Sequence, residues 1–196
     1  NELAVENKYI MSPKDLKTIH FLNKMIDAGV RVFKIEGRAR GPEYVKVAVQ
    51  AYSEAIDAIC RGEFTEDRIA RWDEELSKIF NRGFWNGYYL GQRLGEWSSK
   101  YGSSATRVKR YVAKGVRYFP KLGVGEFLME AGELHVGDEV VITGTDTGAI
   151  IMTVEELRLE YDPVPMVKKG DSFSIKVPEK IRPSDRMYVW EHTKLA

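Results

Sequence analysis

With 196 residues, 43% of them hydrophobic and 30% charged, the chain has the composition of a folded globular protein of one or two domains, which excludes a disordered one. Thirty Lys and Arg against twenty-nine Asp and Glu leave a formal charge of +1, so no overall field draws the molecule onto nucleic acid or a membrane, and any anion site must be local. The single cysteine, Cys60, excludes an internal disulfide framework and fits a reducing compartment; no apolar run approaches the roughly 18 residues of a bilayer span, and the expected location is the cytoplasm. The opening Asn1 to Tyr9 is polar, patternless and without an initial Met, as expected of a chain trimmed from a longer one.

A helix is predicted from Ser12 to Gly29, with Ser12 as N-cap, Pro13 at the first helical position, Asp15 in the first turn and Leu16, Ile19, Leu22 and Ile26 at helical spacing. Val30 to Glu36 is rich in β-branched and aromatic residues and reads as a strand. A second helix is predicted from Pro42 to about Arg61, with Val45, Ala48, Tyr52, Ala55, Ile56 and Ile59 on one apolar face. A third begins at Thr65, whose hydroxyl is the expected cap, with Ile69, Trp72, Leu76 and Ile79 facing inward. Glycines then break the pattern between Asn81 and Gly91, and Ser98 to Thr106 has the composition of a linker.

Beyond the linker the period changes. Tyr111 to Phe119, Gly123 to Met129, Glu139 to Thr143, Ala149 to Val154, Ser172 to Val177 and Met187 to Trp190 read as short strands divided by turns, with no convincing helix. That spacing predicts a small closed or nearly closed β-barrel, because closure removes unpaired edges. The expected fold class is α+β, divided into 1–97, a linker over 98–108 and a β-barrel over 109–196.

Four ordered blocks carry a family resemblance: Met11-Ser12-Pro13-Lys14-Asp15-Leu16, Lys34-Ile35-Glu36-Gly37-Arg38, Pro42-Glu43-Tyr44-Val45 and Phe80-Asn81-Arg82-Gly83-Phe84. Together they resemble the U32 peptidase family, the collagenase-like proteases. Gly132 to Val140 and Lys169-Gly170-Asp171 resemble that family's C-terminal β-barrel, itself similar to the second domain of elongation-factor GTPases. The resemblance implies that Val30 to Glu36 is one of the last strands of a TIM-like barrel, most of which is absent here. It implies a peptide or protein substrate, or, for relatives engaged in RNA hydroxylation, an RNA. An iron-sulfur cluster or metal is implied only for the missing upstream half, since Lys17 stands where some cluster-binding relatives carry a cysteine. Within this chain no cofactor or metal is expected.

Strand alternation puts Lys34 and Glu36 on one face and Phe33 and Ile35 on the other. If the apolar pair packs beneath the helices, Lys34 and Glu36 point into the barrel at the end where such barrels place their sites, which makes them the catalytic candidates. An ion pair that simply plugs the barrel is the alternative. Arg38 and Arg40, just before the Pro42 helix, are candidates for binding an anion or substrate, or else two solvated arginines. Lys109, Arg110, Lys114, Arg117, Lys168 and Lys169 are the local cations available for RNA or a partner, or a charged strand edge that discourages aggregation.

Phe80, Phe84, Trp85, Tyr88, Tyr89 and Trp97 are able to stack bases or peptide side chains, but Phe80, Phe84 and Tyr88 recur every four residues, which favours core packing. Cys60 is expected to be a buried, inert thiol. His20, His135 and His192 are scattered, with no metal-ligand spacing and no Gly-x-Ser-x-Gly elbow, so the chain alone supplies no known protease mechanism. Three functions are therefore open: part of a peptidase, part of an RNA-modifying hydroxylase whose cofactor lies upstream, or a recognition module. The expected role is recognition by the β-barrel, without catalysis by this chain alone.

Overall fold

A computed structural model describes residues 13–98 and 102–193, which form two compact units meeting in sequence at Thr106 and Arg107. The predicted cap Ser12 lies outside the described residues.

In the first unit the chain enters as a two-residue strand, β1 (Asp15–Leu16), followed by a short 3₁₀ turn at Ile19–Phe21 and helix α1 (Leu22–Asp27). The helix predicted from Pro13 is thus corrected to begin several residues later. Pro13 bridges Trp97, and β1 pairs in parallel with β2 (Phe84–Trp85), so backbone groups that a helix would use are taken by distant partners. Gly29, with φ of 96°, ends the helical stretch.

Val30 to Glu36 keeps the burial alternation of a strand. Phe33 and Ile35 pack on the helical core while Val32, at 85% exposure, Lys34 and Glu36 face solvent. It has no ladder among the described residues, because strand hydrogen bonds need a neighbour and none of the described chain lies beside it.

Helices α2 (Pro42–Cys60) and α3 (Glu66–Lys78) form the body of this unit. Ala48, Ala51, Ala55 and Ala58 make a stripe of small buried residues on α2, against which α3 sets Ile69, Trp72 and Leu76. Small side chains let the bulky indole fit between two helices at native packing density. The indole N–H donates to Glu54 Oε2 at 3.0 Å, and its ring stacks on Phe64. Two expectations fail here. Cys60 is exposed, because the helix ends at that turn and its last residue rotates outward. Thr65 stands at the N-cap with extended backbone, but its side chain makes no capping bond.

The second unit is built from β3 (Arg107–Phe119), β4 (Val124–Met129), β5 (Glu133–His135), β6 (Glu139–Gly144), β7 (Gly148–Thr153), β8 (Leu157–Leu159), β9 (Asp162–Val164), β10 (Met166–Lys168), β11 (Ser172–Lys176) and β12 (Arg186–His192). Eight of these form one sheet in the order β7-β6-β12-β3-β4-β11-β8-β9, while β10 pairs with β5. Ile150 on β7 at one end of that sheet, and Val164 on β9 at the other with its ladder partner Leu157, pack into the same core as Phe127, Phe173, Leu134 and Val167. Strands at opposite ends share an interior only when the sheet is rolled, so the unit is a small barrel. The four strands of three residues were not legible in the sequence, being too short to display an alternation.

Candidate functional site

The long strand β3 changes phase twice, and this decides which of its cations act together. Against β12 its register slips between Met187 and Tyr188, where Met187 pairs with Ala113 and Tyr188 with Tyr111, leaving Val112 as the extra residue of a bulge. Val112 and Ala113 both enter the core, as do Met187 and Val189. The alternate residues of β12, Arg186, Tyr188 and Trp190, therefore share the outer face with Lys109, Tyr111 and Lys114. In an unbroken strand Lys109 and Lys114 would lie on opposite faces.

On that face Lys114 stands directly opposite Arg186, and neither has an ion-pair partner among the described residues. Beside them Tyr111 meets Tyr188 edge to face, with centroids 5.6 Å apart, and the Lys109 ammonium lies 4.9 Å from the Tyr188 ring centre. The Tyr111 hydroxyl donates to Glu130. Burial first, then the hydrogen bond to that carboxylate and its charge, push the phenol up to about 12. The neighbouring acids are engaged: Glu191 holds Arg110, and Glu139 holds Arg107 at 2.7 Å. What is left is a positive, aromatic strip on a barrel whose own total, thirteen Lys and Arg against fourteen Asp and Glu over 109–196, is −1.

The other cations are placed differently. Arg110 is occupied by Glu191 and lies near Gly132. Arg117 follows a second bulge, pairs in register with Glu126 and lies near the Phe119 ring, 5.9 Å from its centre. Lys168 and Lys169 are exposed at a turn fixed through their backbone N–H groups, which donate to Asp171 Oδ2 at 2.8 Å and to the Gly132 carbonyl at 3.0 Å.

In the first unit the Glu36 carboxylate accepts the Arg38 backbone N–H at 2.8 Å, closing the turn before α2. Lys34 and Glu36 form no ion pair among the described residues. The Arg38 side chain is exposed, but Arg40 is not at liberty. Its guanidinium donates to Asp15 at 3.2 Å and lies over the Phe80 ring, 4.2 Å from the centre. Asp15 also accepts the Arg82 backbone N–H at 3.0 Å, so one carboxylate ties the first and last of the sequence blocks to the loop before α2. The helix end beyond is likewise filled, since a Cβ on Gly41 would come within 2.4 Å of both Glu43 carboxylate oxygens. An acid over the first turn satisfies the helix dipole from within.

A polar depression of about 410 Å³ lies among Lys17, His20, Glu66, Asp73, Phe84 and Asn86. Lys17 is held by Asp73 at 2.9 Å and by the Phe84 ring at 4.3 Å. Among the described residues no three His, Cys, Asp or Glu side chains gather to hold a metal ion, and no helix is long and apolar enough to cross a membrane. One cysteine and a paired Lys17 do not fit an iron-sulfur cluster.

The chain is 65% identical over 187 residues to a protein named collagenase from Porphyromonas gingivalis, a match that covers 95% of this chain and 45% of that protein. It is 30% identical to tRNA hydroxylation protein P1 of Bacillus subtilis, covering 91% of this chain and 43% of that one. The chain thus spans about half the length of these relatives or less. A 23S rRNA 5-hydroxycytidine synthase of Escherichia coli is 36% identical over 45% of this chain and 14% of its own length. A solved structure of the C-terminal domain of a U32-family protein from Geobacillus thermoleovorans covers 40% of this chain and 90% of that domain, with 17% identity and a TM-score of 0.39. The family model described as peptidase family U32 matches residues 1–99, half of the sequence, and the chain belongs to that family.

Proposed function

We propose that this chain is the substrate-recognition part of a U32 protein that acts on RNA, and that the outer face of β3 and β12 meets the strand. The observation that carries this reading is the opposition of Lys114 and Arg186 across the ladder. Like charges facing each other cost stability, and an anion between them converts the cost into affinity. Tyr111 and Tyr188 beside them add ring surface for bases, and Lys109 a third cation. A protein of near-zero net charge then binds RNA through a local strip rather than a global field. Five of the curated relatives are named for hydroxylation of tRNA or rRNA, which supports the same substrate class.

The test is an RNA titration at two salt concentrations. Lys114 and Arg186, two cations, release between one and two counterions from single-stranded RNA, so the logarithm of the binding constant should fall with the logarithm of salt at a slope of about −1.4. Reversing Lys114 and Arg186 should remove most of that slope. Binding that is absent at low salt, or indifferent to the reversal, defeats the reading.

The relative named collagenase favours a second reading, in which the chain serves a peptidase. Lys34, Glu36 and Arg38 would then contribute from the segment before α2, completed by the remainder of a longer protein. This chain alone should leave gelatin intact, since its described residues assemble no activated nucleophile and no cluster to hold a metal-bound water. Cleavage that disappears on Glu36→Gln would establish the peptidase reading instead.

A further inference from the structure

The segment after β2 exposes aromatic and apolar side chains at unusual density. Tyr88 is 62% exposed, Tyr89 60%, Leu94 83% and Trp97 50%. Clustered exposure of this kind marks contact surfaces. The rings are also ordered around a point. A Cβ placed on Gly95 would stand 3.4 Å from the Tyr88 hydroxyl and 3.9 Å from both Trp85 Cη2 and Trp97 Cζ2. Three rings from separate positions therefore converge above one residue that has no side chain. Trp85 and Tyr88 meet edge to face, centroids 5.2 Å apart and planes at 84°, so the contact takes one face of one ring and not the others. The bridge between Pro13 and Trp97 anchors the backbone that carries the third ring.

The local charges select the occupant. Glu96 is bound by Lys14 at 2.6 Å and receives the Gln92 amide at 3.2 Å, so the one acid at the cluster is neutralised. Arg93, two residues before Gly95, is exposed and has no ion-pair partner among the described residues. Flat rings with hydroxyl and indole N–H groups at their rims, next to one available guanidinium, suit a planar heterocycle joined to a phosphate. A proline-rich peptide would use the rings but leave the arginine without a role.

We propose that Trp85, Tyr88 and Trp97 around Gly95 form a stacking site for one unpaired nucleobase of an RNA strand, with Arg93 meeting the adjoining phosphate. The inference rests on the RNA reading above and adds a contact in the first unit, independent of the barrel face. It is tested with the 196-residue chain and a short single-stranded RNA carrying one 2-aminopurine, whose emission falls when the base stacks.

Binding should quench the probe. Tyr88→Ala and Trp97→Ala should abolish the quench and weaken binding roughly ten-fold each, while Tyr88→Phe keeps it and Arg93→Glu weakens binding without removing the residual quench. Tyr88 is mostly exposed, so its removal leaves the core intact, and unchanged circular dichroism verifies this. Three results would overturn the site. If RNA binds through Lys114 and Arg186 but the probe is never quenched, the stacking site is wrong while the RNA reading stands. If no RNA binds at low salt, both fall. If a proline-rich peptide changes tryptophan emission in a Tyr88-dependent way and RNA does not, the rings serve a peptide.

Discussion

Lys114 and Arg186 face one another directly across the β3 and β12 ladder, two cations in register on the outside of the barrel. Such a pair is a stability cost of a few tenths to 1 kcal/mol relative to an opposite-charge pair. Lys114→Glu should therefore raise the urea midpoint of the free protein while it weakens RNA binding. A variant that lowers stability and leaves binding unchanged would remove the functional interpretation of this pair.

Asp185 should be among the least replaceable polar residues of the barrel. It is 5% exposed and its carboxylate accepts the Thr147 hydroxyl at 2.6 Å and the Arg182 N–H at 2.8 Å, pinning the turn between β6 and β7 to the segment before β12. Asp185→Ala orphans these donors and should cost about 1–3 kcal/mol. Gly144→Ala should be destabilising as well, because its Cβ would lie 1.8 Å from Asp185 Oδ1. Chemical denaturation of both variants checks the pair.

Acid sensitivity of the first unit should trace in part to Glu54. Its carboxyl is held below the ordinary 4.5 by hydrogen bonds from Gln50 and Trp72, with Arg71 adding charge and a further bond. A depressed folded value means that the stabilisation is present above the ordinary value and is lost as pH falls through the lower folded one. Glu54→Gln should be less stable than the parent at neutral pH, and the two should converge as pH falls below the ordinary 4.5 and through the depressed folded value. Thermal unfolding across that range reads the difference, and parallel curves would show that Glu54 does not titrate in this way.

Tyr111 should ionise late. Its phenol is raised from 10.0 to about 12, so folding favours the neutral form. The associated stability is intact below 10 and declines as pH rises toward the folded value. An absorbance titration should show a late step that Tyr111→Phe removes, and its persistence in that variant would assign the step elsewhere.

Local periodicity in the sequence determined α2, α3 and the longer strands, since Ile69, Trp72 and Leu76 recur at helical spacing and the barrel strands alternate. The ordered blocks from Met11 to Phe84 likewise carried the family, and Asp15 bonded to Arg40 and Arg82 shows why the first and last of those blocks belong together. Tertiary structure alone decided which cations cooperate. Lys109, Arg110, Lys114 and Arg117 look like one run in the sequence, yet the bulge at Val112 gathers Lys109 and Lys114 beside Arg186 and Tyr188 while Glu191 takes Arg110. The convergence of Trp85, Tyr88 and Trp97 on Gly95, and the strand pairing that replaced a helix at Asp15, arise the same way. A bulge or a two-residue ladder has no period of its own, because it is set by which distant backbone groups find each other, and that information lies in the packed chain rather than in any local window.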